Sequence, residues 1–189
     1  MSKLLVAFAL SGMSALIYEL VWTRKMQILF GSTIFAASAI LGGFLTGFGL
    51  GSYFTGKIVE RKDARRCFVG LELTLAFFGF LVPSLISFLS SEGFVRVLNF
   101  PLIPFLLAFV ITSIPAGLMG ALWPVTAKLY VRKAREKEAG VLYFANSLGG
   151  ASGPVVAAFL LVPALGLSKT SYIAGMLNLL AALLGGVEK

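Results

Sequence analysis

The run GGFLTGFGLGSYFTGKIVERKDARR, residues 42–66, decides the fold. Its first half is apolar and carries Gly43, Gly47 and Gly51 at four-residue steps. On a helix these share one face and leave a groove in which a second backbone can approach closely. Its second half holds five bases, Lys57, Arg61, Lys62, Arg65 and Arg66, which mark the side of a membrane on which that helix ends. One stretch therefore specifies both the packing and the orientation of a spanning helix.

The rest of the composition agrees. With 58% hydrophobic residues, 13% charged residues and a mean hydropathy of +0.94, too few charges exist to cover a water-facing surface. Unpaired backbone polar groups are costly in hydrocarbon, and the apolar runs are long and do not alternate, so the fold class is an all-α membrane protein rather than a barrel. The net charge is +8, but the bases sit between apolar runs, which fits anionic lipid headgroups and not nucleic acid. A single cysteine, Cys67, excludes an intrachain disulfide, and the lack of histidine excludes a His-based metal site or triad. No cofactor or metal is expected.

Taken in order, residues 1–189 read as one transmembrane domain with six spans at about 4–30, 34–54, 68–89, 102–124, 139–161 and 172–184. The first is not read as a cleaved signal, because Glu19 interrupts its distal part and no small-x-small site follows. Basic residues concentrate in the connections 57–66 and 128–137, five in each, whereas 90–101 holds only Arg96 and the turn 163–167 has only Lys169 nearby. This bias places the two basic loops and both termini on the cytoplasmic side of the cell's inner (plasma) membrane; the pair Arg24-Lys25 is outnumbered. Two consecutive sets of three helices enter the membrane from opposite sides, which is the arithmetic of an inverted repeat.

Three motifs carry a resemblance. The loop GKIVERKDARR, residues 56–66, resembles the signature between helices 2 and 3 of the major facilitator superfamily, with Asp63-Ala64 where that family has one glycine. Gly140, Gly149, Gly153 and Pro154 reproduce the spacing of its helix 5 motif, with Ala157-Ala158 in place of the last glycines. Ser11-Gly12, the run ALIYELVWTR at 15–24, Gly31-Ser32-Thr33 and FANSLG at 144–149 resemble a narrower group, the membrane domain fused to a spermidine synthase-like aminopropyltransferase domain. The resemblance implies a major-facilitator-like half bundle that would need a second copy or a partner to enclose a pathway, a homodimer being the simplest solution. The Gly-rich nucleotide loop of the aminopropyltransferase domain is not found in the chain, so no enzyme is expected within it.

Few residues can carry chemistry. Glu19 lies roughly 22 Å along a helix that starts near Leu4, where a carboxylate is costly to ionise and can serve as a proton or cation site. Alternatively it lies near the outer interface and pairs with Arg24 or Lys25, with Trp22 as interfacial anchor. Tyr18, Trp22 and Tyr143 offer aromatic faces for an ammonium group, and Asn146 offers an amide beside the glycines of helix 5, either as glue to a neighbouring helix or as a bond to a ligand. Glu72 is expected to pair with Arg61, Arg65 or a base from the second basic loop, forming with Glu60 a conformational latch at the cytoplasmic end. Gly43, Gly47, Gly51, Gly149, Gly153 and Pro154 are helix-packing positions, either within one protomer or across a dimer. Asn178 reads as helix glue, and Trp123 as an anchor before the second basic loop.

Two functions follow. The first is a transporter-like half bundle that dimerises to bind or move a small cationic solute, with a polyamine named by the resemblance alone. The second is a non-transporting anchor or assembly module for a cytoplasmic spermidine synthase-like domain.

Overall fold

The computed structural model describes residues 2–31, 34–90, 102–131 and 136–187, all of them helical apart from short turns. The helices are α1 (Ser2–Phe30), α2 (Ile34–Ile58), α3 (Ala64–Leu89), α4 (Leu102–Tyr130), α5 (Glu136–Val156) and α6 (Val162–Val187). A 3-10 turn, Val59–Arg61, follows α2, and a π segment, Ala157–Leu161, joins α5 to α6. Arg96, three bases of the second basic loop (Arg132, Lys133, Arg135), Ser32-Thr33 and the terminal Lys189 lie outside the described residues.

Among the described residues five stretches are long and apolar enough to cross a membrane: Lys3–Phe30, Ile34–Arg61, Ala64–Leu89, Leu102–Tyr130 and Glu136–Val187. The last has 52 residues. As one straight helix it would measure about 78 Å, over twice the hydrocarbon thickness of about 30 Å. It is not straight. Gly166 sits at φ 80° and ψ 170°, outside the helical region and open in practice only to glycine. The neighbours on either side show that the chain reverses there. Gly149 and Gly153 of α5 meet Ala9 and Met13 of α1 in the same order, so α5 runs parallel to α1. Beyond Gly166, Ser168, Ser171 and Asn178 meet Lys25, Trp22 and Tyr18 in descending order, so α6 runs antiparallel to it.

Two further pairings complete the bundle. Gly43, Gly47 and Gly51 of α2 lie against Phe109, Ser113 and Gly117 of α4, a parallel pair. The contact is backbone on backbone: a Cβ at Gly47 or Gly51 would overlap the carbonyl of Ser113 or Gly117, and one at Gly120 that of Phe48. Lipid tails are as apolar as leucine, so close dispersion contact of this kind holds membrane helices together. Antiparallel α3 and α6 pack through Phe68 on Gly185 and through Ala76 and Phe80 on Gly175.

Helices α2 and α4 outrun their expected ends at 54 and 124. Lys57 stays on the last turn of α2 because its stem lies along the helix, its ammonium meeting the hydroxyl of Tyr53 at 2.6 Å and resting 4.1 Å from the ring centre. In α4 both Pro115 and Pro124 are inside the helix. The helix continues to Tyr130, and its Lys128 donates to the carbonyls of Val59, Glu60 and Lys62, closing the end of the neighbouring α2. Asp63 caps α3, accepting from the backbone N–H groups of Arg65 and Arg66.

Candidate functional site

A cleft of about 600 Å³ lies between α1, α2, α4 and α5. Its lining is mainly apolar, from Phe8, Leu16, Phe44, Leu45, Phe48 and Met119 among others. Helix positions place it near the middle of the bundle, shifted along α4 toward that helix's basic end: residues 8–16 of α1, 44–48 of α2, 119–123 of α4 and 143–151 of α5. One wall is aromatic. Phe8 and Trp123 stand 5.9 Å apart, and Trp123 meets Tyr143 edge-on at 5.9 Å. Asn146 and Ser147 add polar groups, and Gly12 lets the Asn146 carbonyl and side-chain oxygen approach the backbone of α1.

Glu19 stands farther along α1. It is half-buried beside a space of about 10 Å³, room for about one water molecule, lined also by Trp22, Thr23, Ile40, Thr112 and Ala116. Phe44 and Met119 line both this space and the cleft, so the carboxylate lies just beyond the cleft's inner end. The pairing with Lys25 considered from sequence is not made: the Lys25 ammonium donates to Ser168 Oγ at 2.9 Å and Ser87 Oγ at 3.3 Å, toward α6 and α3.

Behind α1, on the side away from the cleft, a second polar group is fully buried. The Tyr18 hydroxyl donates to Asn178 Oδ1 at 2.7 Å, and the Asn178 amide donates to Glu72 Oε2 at 2.6 Å. Tyr18 stacks on Trp22 at 4.5 Å; Trp22 Nε1 donates to Ser171 Oγ at 2.9 Å, and that hydroxyl donates to the Gly79 carbonyl at 2.7 Å. Tyr18, Glu72, Ser171 and Asn178 each have 0% exposure, so this network binds α1, α3 and α6 inside the bundle.

The expected residues thus separate. Tyr143 and Asn146 reach the cleft, and Glu19 lies just past its end. Tyr18 does not share it, because consecutive helical residues point about 100° apart and Glu19 already faces the cleft side. Glu72 also departs from expectation: it bonds Asn178 instead of Arg61 or Arg65, because its position on α3 turns inward toward α1 and α6. Glu60, Arg61 and Lys62 are exposed at the end of α2, where Glu60 contributes its backbone carbonyl to Lys128. Trp123, read from sequence as an interfacial anchor, belongs to the cleft wall. Tyr18 and Trp22, one turn apart on α1, are the signal in the sequence that could have pointed to the buried network, and the sequence reading did not use it.

The protein is thus of the class of all-helical bundles with membrane-length apolar helices, a polar-ended cleft and a buried acidic network. Among curated proteins it is similar to polyamine aminopropyltransferases. It is 30% identical over 185 residues to that of Leptospira interrogans, covering 97% of this chain and 35% of the relative. Identity to the Oceanobacillus iheyensis protein is 27% over 179 residues, 89% of this chain and 32% of the relative. For Mycobacterium tuberculosis it is 30% over 185 residues, 95% and 34%. The chain therefore spans about a third of the length of the curated relatives it matches, and the likeness concerns one part of them. No family model matches the chain. No solved structure matches it.

Proposed function

We propose that this chain is a membrane-embedded module of the kind joined to polyamine aminopropyltransferases, and that its cleft binds a small organic cation such as a polyamine. The observation that carries the reading is the cleft: the aromatic faces of Trp123 and Tyr143, the amide of Asn146, and the carboxylate of Glu19 beyond its end. An alkylammonium needs these groups, apolar and aromatic contact along its chain and an anion near its charge. The similarity to polyamine aminopropyltransferases supports polyamines as the class to test first. Aminopropyl transfer itself belongs, in this reading, to the part of such proteins outside the match.

Within the same proposal the chain crosses the inner membrane six times, with the stretch Glu136–Val187 crossing twice about Gly166 and the basic ends of α2 and α4 in the cytoplasm. Two three-helix units of opposite orientation account for the packing: the α1–α5 pair corresponds to the α4–α2 pair, each parallel and each closed on glycines, while α3 pairs with α6. A second copy of this half bundle would cover the cleft, as in a transporter built of two halves. Native mass spectrometry in mild detergent, with spermidine and putrescine as probes, reads both stoichiometry and ligand. A dimer retaining a polyamine that Glu19→Gln releases supports the reading, and a monomer that binds neither overturns it.

A second reading rests on the coverage of the relatives. About two thirds of each lies outside the match, so the helices could serve only to hold that remainder at the bilayer. This reading expects no ligand and no effect of Glu19→Gln beyond folding.

A further inference from the structure

The buried carboxyl of Glu72 is not accounted for by the cleft. Asn178 satisfies Oε2, but Oε1 is buried without a hydrogen-bond partner among the described residues. Ser11 faces this carboxyl from α1, outside hydrogen-bond geometry for Oε1. Ser11 also lines the cleft, although its own exposure is 3%. One hydroxyl therefore stands between the orphan oxygen and the cleft.

Among the described residues Glu72 is paired with no counter-charge. The elements packed against α3 are α1, α4, α6 and the Val59–Arg61 turn. Facing the carboxyl are Ser11 and Asn178, with Tyr18 as the nearest titratable group, held through Asn178. The charged groups of those elements, Lys3, Glu19, Arg24 and Lys25 on α1, Glu60 and Arg61 on the turn, Lys128 on α4 and Lys169 on α6, with Arg65 and Arg66 on α3 itself, form no ion pair with it among the described residues. An ionised carboxylate so placed, without a cation and with one oxygen unbonded, is expensive in a low-dielectric interior, and a proton on Oε1 removes both costs.

We infer that Glu72 is a proton-binding site that exchanges with the cleft through Ser11. In the protonated state Oε1 carries the hydrogen and Ser11 Oγ is its acceptor after a small rotation. On release, the Oε1–H bond breaks as that proton bonds to Ser11 Oγ, while the original Ser11 hydroxyl proton passes to water in the cleft. The products are a carboxylate and a hydronium ion, and the serine is unchanged. A group of this kind gives the bundle a charge state that depends on access from the cleft, independently of which ligand the cleft takes.

Infrared difference spectroscopy of the full chain in detergent tests this. The wild type should show the carbonyl band of an un-ionised carboxyl that shifts in heavy water and is lost on alkalinisation, and that band should be missing from Glu72→Gln. Ser11→Ala, which keeps the carboxyl, should retain the band but slow its response to a pH jump severalfold. A wild-type spectrum equal to that of Glu72→Gln at every pH overturns the inference, as does a Ser11→Ala response as fast as wild type. If Glu72→Gln does not fold, the Ser11→Ala response and the heavy-water shift decide the matter. These outcomes do not depend on polyamine retention, so the cleft reading and this one can fail separately.

Discussion

Adding one methyl group to α2 should separate the packing face of that helix from its lipid face. In Gly47→Ala the new Cβ would lie 2.8 Å from the carbonyl carbon and the Cα of Ser113, and nearer still to the carbonyl oxygen. Ordinary contact begins at 3.4 Å, so α2 and α4 must part by at least about 0.6 Å, and by more to clear the oxygen. The same shift loosens the contacts at Gly43, Gly51 and Gly120, which rest on the same pair of backbones. Overpacking of this kind costs about 1–3 kcal/mol. Alanine also gains roughly 1 kcal/mol of helix propensity over glycine, which hides part of the loss. Gly49→Ala is the control: no heavy atom lies within 4 Å of a Cβ there, and the propensity gain is the same. The difference between the variants should therefore be about 1–3 kcal/mol in favour of Gly49→Ala. Unfolding by sodium dodecyl sulfate titrated into mild-detergent micelles, followed by far-ultraviolet circular dichroism, measures it. Equal stability within about 0.5 kcal/mol would refute the backbone contact between α2 and α4.

Other consequences are as direct. Tyr18→Phe keeps the stacked ring but leaves Asn178 Oδ1 without its donor, and should cost about 1 kcal/mol in the same titration; no loss would show that the amide had found another partner. Gly166→Ala places a side chain at φ 80° with open space around it, so a cost of about 1–3 kcal/mol should come from the backbone alone, and a neutral result would mean that the reversal is not made there. Lys128→Met removes the ammonium that holds the carbonyls of Val59, Glu60 and Lys62, and trypsin should then cut at 61–66 several times faster than in the wild type; an unchanged rate counts against that contact. A single cysteine introduced at Lys62 in a Cys67→Ser background should react with a membrane-impermeant maleimide only from the cytoplasmic face, and labelling from outside would invert the proposed orientation.

What the sequence by itself determined is the part governed by local rules. Long apolar runs must satisfy their own backbone in hydrocarbon, so the all-helical character followed from composition and from the non-alternating pattern. Glycines at four-residue steps share a face whatever lies opposite, which made residues 43, 47 and 51 legible as packing positions, although their partner, α4, was not. Helix ends were less legible. Lys57 and Lys128 read as loop residues by their charge, yet a lysine at a helix C-terminus is favoured by the dipole and has neighbouring carbonyls to bond.

Only the tertiary structure decided which polar residues share a site. Tyr18 and Glu19 are adjacent in sequence, but the helix turns one toward α3 and α6 and the other toward the cleft. Glu72 is close in sequence to a cluster of bases, yet its partner Asn178 is 106 residues away, brought beside it by the antiparallel packing of α3 and α6. Trp123 has the neighbours of an interfacial anchor in sequence and those of a cleft wall in space. Helical periodicity fixes the direction of each side chain relative to its own axis. The rotation of that axis about itself, and so the neighbour each side chain meets, is set by close packing among several helices at once, and no single run of residues contains that information.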